Sequence, residues 1–175
     1  QRCLDLGISL LESFQYCFAV LNLLAQKLVD SGRLGGPGIV TASFNVSAPH
    51  DPNTLRSKKE LAGGALSDVG CYCVGMARFI YQEEPLRVLS HLTFDEEFEV
   101  DMTGFVTMEF ANGKFALLDY SKENHGRPVL EVLGTKGRMI INDFHLPSQT
   151  ESKIRIFDAD GFSQTLFPPR SEEHT

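Results

Sequence analysis

Two residues suited to proton transfer, Asp68 and Tyr72, lie four positions apart just after a pair of glycines. Residues with this spacing project from the same face of a helix, so a carboxylate and a phenol would share one turn. Gly63, Gly64 and Gly70 leave room for a backbone or a ligand, and a helix N-terminus favours oxygen-rich groups. The pair could therefore orient a polyhydroxylated ligand and pass a proton to it.

A structural interpretation of the same segment stays open. Tyr72 lies on an apolar helical stripe, which is typical of a core aromatic residue. Asp68 would then be a helix N-cap, whose carboxylate accepts backbone N–H groups and interacts with the helix dipole. Spacing alone favours this interpretation over the functional one, and the flanking glycines favour a site.

The other reactive side chains show no arrangement typical of a site. The cysteines have no C-x-x-C spacing and no nearby histidine pair, so we expect reduced thiols rather than zinc or a disulfide framework: Cys3, Cys17, Cys71 and Cys73. Three of the five histidines, His91, His125 and His145, are scattered among predicted strands and turns without H-x-H or H-E-x-x-H spacing, which gives no support for a metal site. The glycines at 32–38 do not precede a predicted helix, so they are not a dinucleotide fingerprint.

Composition excludes several classes of partner. The 175 residues suit one domain, and the net charge of −7 disfavours a nucleic-acid or anionic-membrane surface. No apolar run reaches the roughly 18 residues of a membrane span. With reduced thiols, these features lead us to expect a cytoplasmic protein without nucleic-acid or membrane partners.

The elements before the motif are mostly helical. Arg2 to Gly7 is typical of the last turn of a helix closed by a glycine, and Ile8 to Leu11 predicts a short buried strand. Apolar residues at three-four spacing predict a helix from Phe14 to Ser31. After a glycine-rich loop, alternation predicts a strand from Ile39 to Phe44, and a polar surface loop covers 46–62. The central helix is expected from Asp68 to about Gln82.

Strand patterns dominate the rest of the chain, joined by turns such as Ala-Asn-Gly-Lys at 111–114. The predicted strands are 86–94, 102–110, 115–120, 129–133, 138–142, 154–157 and 162–167. Consecutive hairpins predict an α+β fold, in which a largely antiparallel open β-sheet carries its helices on one face.

Four passages resemble the C-terminal domain of the Gfo/Idh/MocA oxidoreductases, in the branch of glucose–fructose oxidoreductase, xylose dehydrogenases and dimeric dihydrodiol dehydrogenase. The most specific is Leu-Ala-Gly-Gly-Ala-Leu-Ser-Asp-Val-Gly-Cys-Tyr at 61–72, preceded by Arg56. The others are Leu-Leu-Glu-Ser-Phe-Gln-Tyr at 10–16 with Asp-Ser-Gly-Arg-Leu-Gly at 30–35, Glu-Glu-Pro at 83–85, and the hairpins around 110–113 and 131–138. Residues 17–20 are Cys-Phe-Ala-Val, where the family commonly has an Arg-Phe-His-Pro-like run.

This resemblance implies a glyceraldehyde-3-phosphate dehydrogenase-like C-terminal domain at 13–168. Residues 1–12 would be the remnant of a Rossmann domain's last helix and strand, and 169–175 a polar tail. The intact protein would use NAD or NADP, bound by the missing N-terminal Rossmann domain. This fragment would hold no cofactor and would be inactive alone.

The resemblance also assigns roles in oxidising or reducing the CH–OH group of a sugar, polyol or cyclic diol. Tyr72 would be the acid/base residue, and Asp68, Arg56 and Tyr16 would bind substrate. Tyrosine has an ordinary pKa of about 10, so a nearby cation would be needed for it to act as a base. The exposed sheet face would form a homo-oligomer. The alternative, favoured by the departure at Cys17, is a non-catalytic ligand-binding or dimerisation module.

Overall fold

One mixed sheet forms the centre of the chain in the computed structural model, which describes residues 2–48, 51–126, 128–146, 152–161 and 163–167. Within those ranges, eight strands lie in the order β2-β3-β4-β1-β5-β6-β7-β8. Their bounds are β1 Pro37–Asn45, β2 Arg87–Phe94, β3 Asp101–Glu109, β4 Phe115–Ser121, β5 Val129–Gly134, β6 Gly137–Asn142, β7 Ile154–Asp158 and β8 Ser163–Leu166. The described helices are α1 Arg2–Asp5, α2 Val20–Asp30 and α3 Cys71–Tyr81, with shorter turns between them.

The strand predictions from Ile39 onward are confirmed, and so is the largely antiparallel pairing. In the β3–β4 turn, Asn112 and Gly113 have φ of 60° and 72°, the left-handed geometry that an Asn-Gly pair accepts at low cost. β1 and β4 are the exception, since they pair in parallel from Ile39 opposite Phe115 to Asn45 opposite Ser121. The predicted strand at 162–167 begins at Ser163 within the described residues, because position 162 lies outside them.

The two faces of the sheet have different environments. On one face, α3 packs on β1 and β4, and α2 packs beside α3. This face carries the alternate strand residues that build the core, among them Val40, Ala42, Leu118, Tyr120, Leu130, Val132, Met139 and Ile141. On the opposite face, Leu89, Phe105 and Leu117 are 65%, 61% and 47% exposed. Helices on one face and an exposed apolar surface on the other were both expected from the sequence.

The predicted helix from Phe14 to Ser31 is two elements. A 3₁₀ turn covers Gln15–Phe18, and α2 starts only at Val20, because Ala19 is extended with φ −66° and ψ 127°. The buried amide of Asn22 fixes this break, since it donates to the carbonyl oxygens of Tyr16 (2.9 Å) and Phe144 (2.8 Å). Apolar spacing is nearly unchanged across a one-residue break, which explains why the pattern predicted a single helix.

The start of the chain is partly as predicted. Gly7 follows α1 with φ 65°, as expected for a glycine that closes a helix. The predicted buried strand at Ile8–Leu11 is wrong, because these residues form neither strand nor helix, and Leu10 and Leu11 are each 81% exposed. A strand needs a neighbour for its backbone hydrogen bonds, and none of the described strands pairs with this segment.

Two expectations concern the ends of the chain. The predicted polar tail at 169–175 lies outside the described residues. The assignment of 1–12 to a preceding domain stays a prediction. Among the described helices, none has the length and apolar character needed to cross a bilayer.

Candidate functional site

The segment from Leu66 to Gly70 forms a π-helical turn that runs directly into α3. The sequence predicted an α-helix from Asp68, so the site is built on a wider turn than expected. π-helical turns within α-helices are frequent at functional sites, because the inserted residue redirects the side chains around it. α3 ends at Tyr81, close to the predicted end, and the next residue, Gln82, has φ 53° and donates its N–H to the carbonyl of Arg78.

The cap of this turn comes from the sheet. Asp68 makes no capping hydrogen bond, so its interpretation as an N-cap is wrong. Instead the Asp101 carboxylate, at the start of β3, accepts the Leu66 N–H at 2.7 Å. Gly64 makes room for it, since a Cβ there would lie 2.1 Å from Asp101 Oδ1, and its φ of 117° also requires glycine. Because Asp101 caps the turn, the Asp68 carboxylate can bind other side chains.

Beneath the turn, the ring of Tyr120 is held between two glycines. A Cβ at Gly70 would lie 2.8 Å from this ring, and one at Gly104 on β3 would lie 2.2 Å from it. Tyr120 is fully buried, so the turn rests on a close-packed support. Gly70 is therefore needed for packing, whereas the sequence allowed either a backbone or a ligand at this position.

The Asp68 carboxylate lies between two cations. Arg56 Nε donates to Oδ1 at 2.6 Å, and Lys122 Nζ donates to Oδ2 at 2.8 Å. Burial alone would raise the pKa of Asp68, but the hydrogen bonds from Arg56 and Lys122 outweigh burial and hold it below its ordinary value. Asp68 is consequently a carboxylate at neutral pH, with both oxygens bound.

These three side chains line a cavity of about 300 Å³, together with Ala48, Asp51, Thr54, Ser57, Gly64 and Met102. Its wall combines cationic donors, carboxylate acceptors and hydroxyl groups. A small ligand with several hydroxyl groups could exchange hydrogen bonds with all of them. The structure thus brings Asp68 and Arg56, both proposed from the sequence as substrate-binding residues, together in one cavity.

Tyr72 lies one turn further along and is partly exposed. Within the described ranges its ring contacts four aromatic rings, at centroid distances of 5.5 Å to Tyr16, 5.6 Å to Phe44, 6.0 Å to His145 and 6.4 Å to Phe14. Among the described residues, none forms a hydrogen bond with its hydroxyl. The ring is therefore fixed by packing, while its hydroxyl remains available.

The phenol of Tyr72 is protonated at neutral pH. Burial, Cys71 and the Asp68 carboxylate raise its pKa, and the opposing effect of Arg56 is smaller. Tyr72 is absent from the residues that line the Asp68 cavity, but these electrostatic effects place it within range of both Asp68 and Arg56. The phenol therefore lies outside the lining of the cavity, one helical turn from Asp68.

Tyr16 is not placed as predicted. It is only 3% exposed, and its hydroxyl packs so closely on α3 that a Cβ at Gly75 would lie 1.8 Å from it. Its ring lies 5.5 Å from that of Tyr72, and Tyr16 lines a separate groove that also includes Cys17 and Cys71. Direct contact with a ligand in the cavity is therefore not supported.

Sequence reasoning missed three residues near the site: Asp101, Lys122 and His145. Their contacts with the motif span large separations, 35 residues for Asp101 and 54 for Lys122, and no local pattern marks them. His145 packs on Phe44 at 4.5 Å, and its Nδ1 is buried without a hydrogen-bond partner among the described residues. Burial lowers its pKa, so the imidazole is neutral at neutral pH.

The glycine-rich loop before β1 does not have the geometry of a dinucleotide-binding loop. The glycine-rich segment at 32–38 runs into β1, which starts at Pro37, rather than into a helix. It therefore lacks the strand–loop–helix geometry that places a pyrophosphate at a helix N-terminus. Within the described ranges, no cluster of three or more potential metal ligands occurs either.

Comparison with known proteins relates this geometry to one group of enzymes. A family model described as GFO/IDH/MocA C-terminal domain matches residues 22–140. The chain is 31% identical to D-xylose 1-dehydrogenase (NADP(+)) 2 of Haloferax volcanii over 91% of its length and 48% of that protein. It is 27% identical to trans-1,2-dihydrobenzene-1,2-diol dehydrogenase of Xenopus laevis, over 79% of its length and 41% of that protein.

A solved structure shows the same relationship. Aldose-aldose oxidoreductase from Caulobacter crescentus, complexed with glycerol, superposes with a TM-score of 0.83 at 26% identity. The alignment covers 97% of this chain and 51% of that enzyme. The chain thus spans about half the length of the relatives it matches.

Proposed function

The chain belongs to the GFO/IDH/MocA family as a C-terminal domain, and from this we propose that it is the substrate-binding half of an NAD(P)-dependent oxidoreductase. The reaction would interconvert a CH–OH group and a carbonyl group on a sugar, polyol or cyclic diol. The observation that carries the proposal is the ionised Asp68 carboxylate, held between two cations beside a protonated Tyr72 with an available hydroxyl.

In this proposal Tyr72 moves the proton. During reduction its hydroxyl donates a proton to the carbonyl oxygen, which becomes the alcohol; during oxidation the phenolate takes that proton back. The raised pKa keeps the donor form populated at neutral pH. A nicotinamide cofactor, which a separate Rossmann domain would bind, would supply or accept the hydride.

Asp68 and Arg56 would bind the hydroxyl groups of the substrate. A carboxylate accepts and a guanidinium donates, so together they match the two hydrogen-bonding functions of a hydroxyl. Asp68 is unsuited to general base catalysis, because its low pKa makes it a weak base. Tyr16 and the other surrounding rings would hold the ring of Tyr72 in place.

Two further parts of the proposal concern assembly and location. The exposed residues Leu89, Phe105 and Leu117 support a homo-oligomer formed through the open sheet face. The four free cysteines, Cys3, Cys17, Cys71 and Cys73, are compatible with the reducing cytoplasm. The isolated chain would be inactive, because the proposed hydride donor and its binding domain would be absent.

The test uses the protein that carries this chain together with its nucleotide-binding domain. We expect NAD- or NADP-dependent oxidation of at least one member of a panel that includes D-xylose and trans-1,2-dihydrobenzene-1,2-diol, named for the relatives. Tyr72→Phe should lower kcat/KM by about 10² to 10⁴, the usual contribution of a proton-transferring side chain. Tyr16→Phe is the matched control and should retain activity.

A non-catalytic binding or dimerisation module is the second candidate, favoured by Cys17 at a position where the family commonly has arginine. It predicts no turnover of the panel with either cofactor. It also predicts that Tyr72→Phe and Tyr16→Phe bind ligand equally well. That combination of results would overturn the enzymatic proposal.

A further inference from the structure

We infer that Lys122 is a positioning residue, which holds the Asp68 carboxylate in place through Oδ2. Arg56, which binds Oδ1, is the exchangeable partner that a ligand displaces. The inference rests on the proposed function, since it specifies how the cavity would receive a hydroxyl group. Its basis is the unequal environment of the two cations.

The two ion pairs differ in exposure. The side chain of Lys122 is 11% exposed and that of Asp68 is 20% exposed, whereas that of Arg56 is 59% exposed. An exposed ion pair competes with water and salt and contributes little, while removal of one partner from a buried pair leaves a charge without compensation. Although Arg56 has the shorter contact with Asp68, its pair is the one that solvent weakens.

The main chains of Lys122 and Arg56 also lie in different surroundings. Lys122 follows β4 directly, donates its N–H to the carbonyl of Met102 at 2.9 Å and accepts the N–H of Ala48 at 3.0 Å. Its main chain is thus bound on both sides. Arg56 lies in the short 3₁₀ turn Leu55–Ser57, outside the sheet. The carbonyl of Arg56 also accepts the N–H of Gly64 at 2.9 Å. The main chains therefore differ in place, at the end of a sheet strand and in a surface turn, and the side-chain exposures carry the asymmetry.

This asymmetry defines how a ligand would enter. With Lys122 on Oδ2, the carboxylate cannot rotate freely, so Oδ1 faces the position that Arg56 occupies. A ligand hydroxyl could replace Arg56 as the donor to Oδ1, and the released guanidinium could donate to a second ligand oxygen. The charged and titratable groups that act on Asp68 or share its cavity are Arg56, Lys122, Tyr72, Cys71 and Asp51.

The experiment compares two variants that each remove one cation from the same carboxylate, Lys122→Met and Arg56→Met. Carbon-13 NMR of the Asp68 carboxyl group reports its pKa without any need for turnover. We expect Lys122→Met to raise this pKa more than Arg56→Met does, and Lys122→Arg to restore it in part. The effect of Arg56→Met should shrink in high salt, whereas that of Lys122→Met should persist.

Steady-state kinetics with the best substrate of the panel then tests the consequence for the ligand. Lys122→Met should raise KM about tenfold or more and change kcat less, because Lys122 orients a binding group without touching the reacting atoms. Lys122→Arg should recover most of the loss. A merely structural role for Lys122 would lower the amount of folded enzyme and leave both the KM and the Asp68 pKa unchanged.

The outcomes separate this inference from the proposed function. If Lys122→Met raises the Asp68 pKa no more than Arg56→Met does, the anchoring role of Lys122 is overturned, whatever the enzyme's activity. If the pKa rises as expected but KM is unchanged, the use of Asp68 in substrate binding fails instead, and with it the entry route inferred here. A raised pKa together with a raised KM supports both.

Discussion

The Leu66–Gly70 turn has two sides that differ in what they contact. On its packed side, Gly70 rests on the buried ring of Tyr120, which Gly104 confines from β3. On its polar side, Asp68 faces a cavity and binds Arg56 and Lys122. The packed side depends on small volume, and the polar side depends on charge. A substitution on one side should therefore affect stability, and a substitution on the other should affect binding and proton transfer.

The largest effect is expected on the packed side, from Gly104→Ala. The added Cβ would lie 2.2 Å from Tyr120, so the core must shift, and the free energy of unfolding should fall by about 3 kcal/mol. Urea denaturation measures this loss. Gly38→Ala is the control, because it is also a strand glycine but its Cβ would meet open space. Equal stability of the two variants would contradict a packed support.

The next effect concerns the cap that joins the two sides. Asp101→Ala would leave the Leu66 N–H without its acceptor and should lower the free energy of unfolding by about 1 to 3 kcal/mol. Asp101→Asn keeps an acceptor oxygen and should lose less. The same denaturation measurement distinguishes them, and an equal loss in both variants would show that the carboxylate's charge, rather than its hydrogen bond, matters for the turn.

A smaller effect should depend on pH, on the polar side. The pKa of Asp68 is lower in the folded protein than in the unfolded chain, so its contribution to stability is present above about pH 4 and is lost as pH falls through the folded-state value. Asp68→Asn should therefore be less stable than the wild type at neutral pH and approach it in acid. Glu60→Gln, at an exposed position, is the control. If the stability difference between Asp68→Asn and the wild type does not change with pH, the charge of Asp68 is not its source.

The smallest effect is expected at His145, whose ring contacts that of Tyr72 from outside the turn. Burial lowers the pKa of His145, so below about pH 6.5 the unfolded chain binds a proton that the folded protein resists. Stability should therefore decline as pH falls through this range, and His145→Phe should flatten the decline. Thermal unfolding at several pH values measures the slope, and an unchanged slope would show that His145 is not its source.

The chain's local patterns predicted most of the fold. Period-two alternation identified the strands, and Asn112-Gly113 identified a hairpin turn, because these signals arise within a few residues. The same reasoning failed at Ile8–Leu11, where an apolar run has no strand beside it. It also treated 14–31 as one helix, since only the buried contacts of Asn22 reveal the break at Ala19.

For the site, the sequence by itself determined that a carboxylate and a phenol, Asp68 and Tyr72, follow a glycine pair, and its motif indicated the family. Only the tertiary structure decided which groups each of them contacts. Lys122 and Asp101 reach the turn from distant strands, so Asp68 is released from capping and becomes an ionised group in a cavity. The physical reason is that charge compensation and burial depend on partners brought together by the sheet, and local spacing carries no information about them.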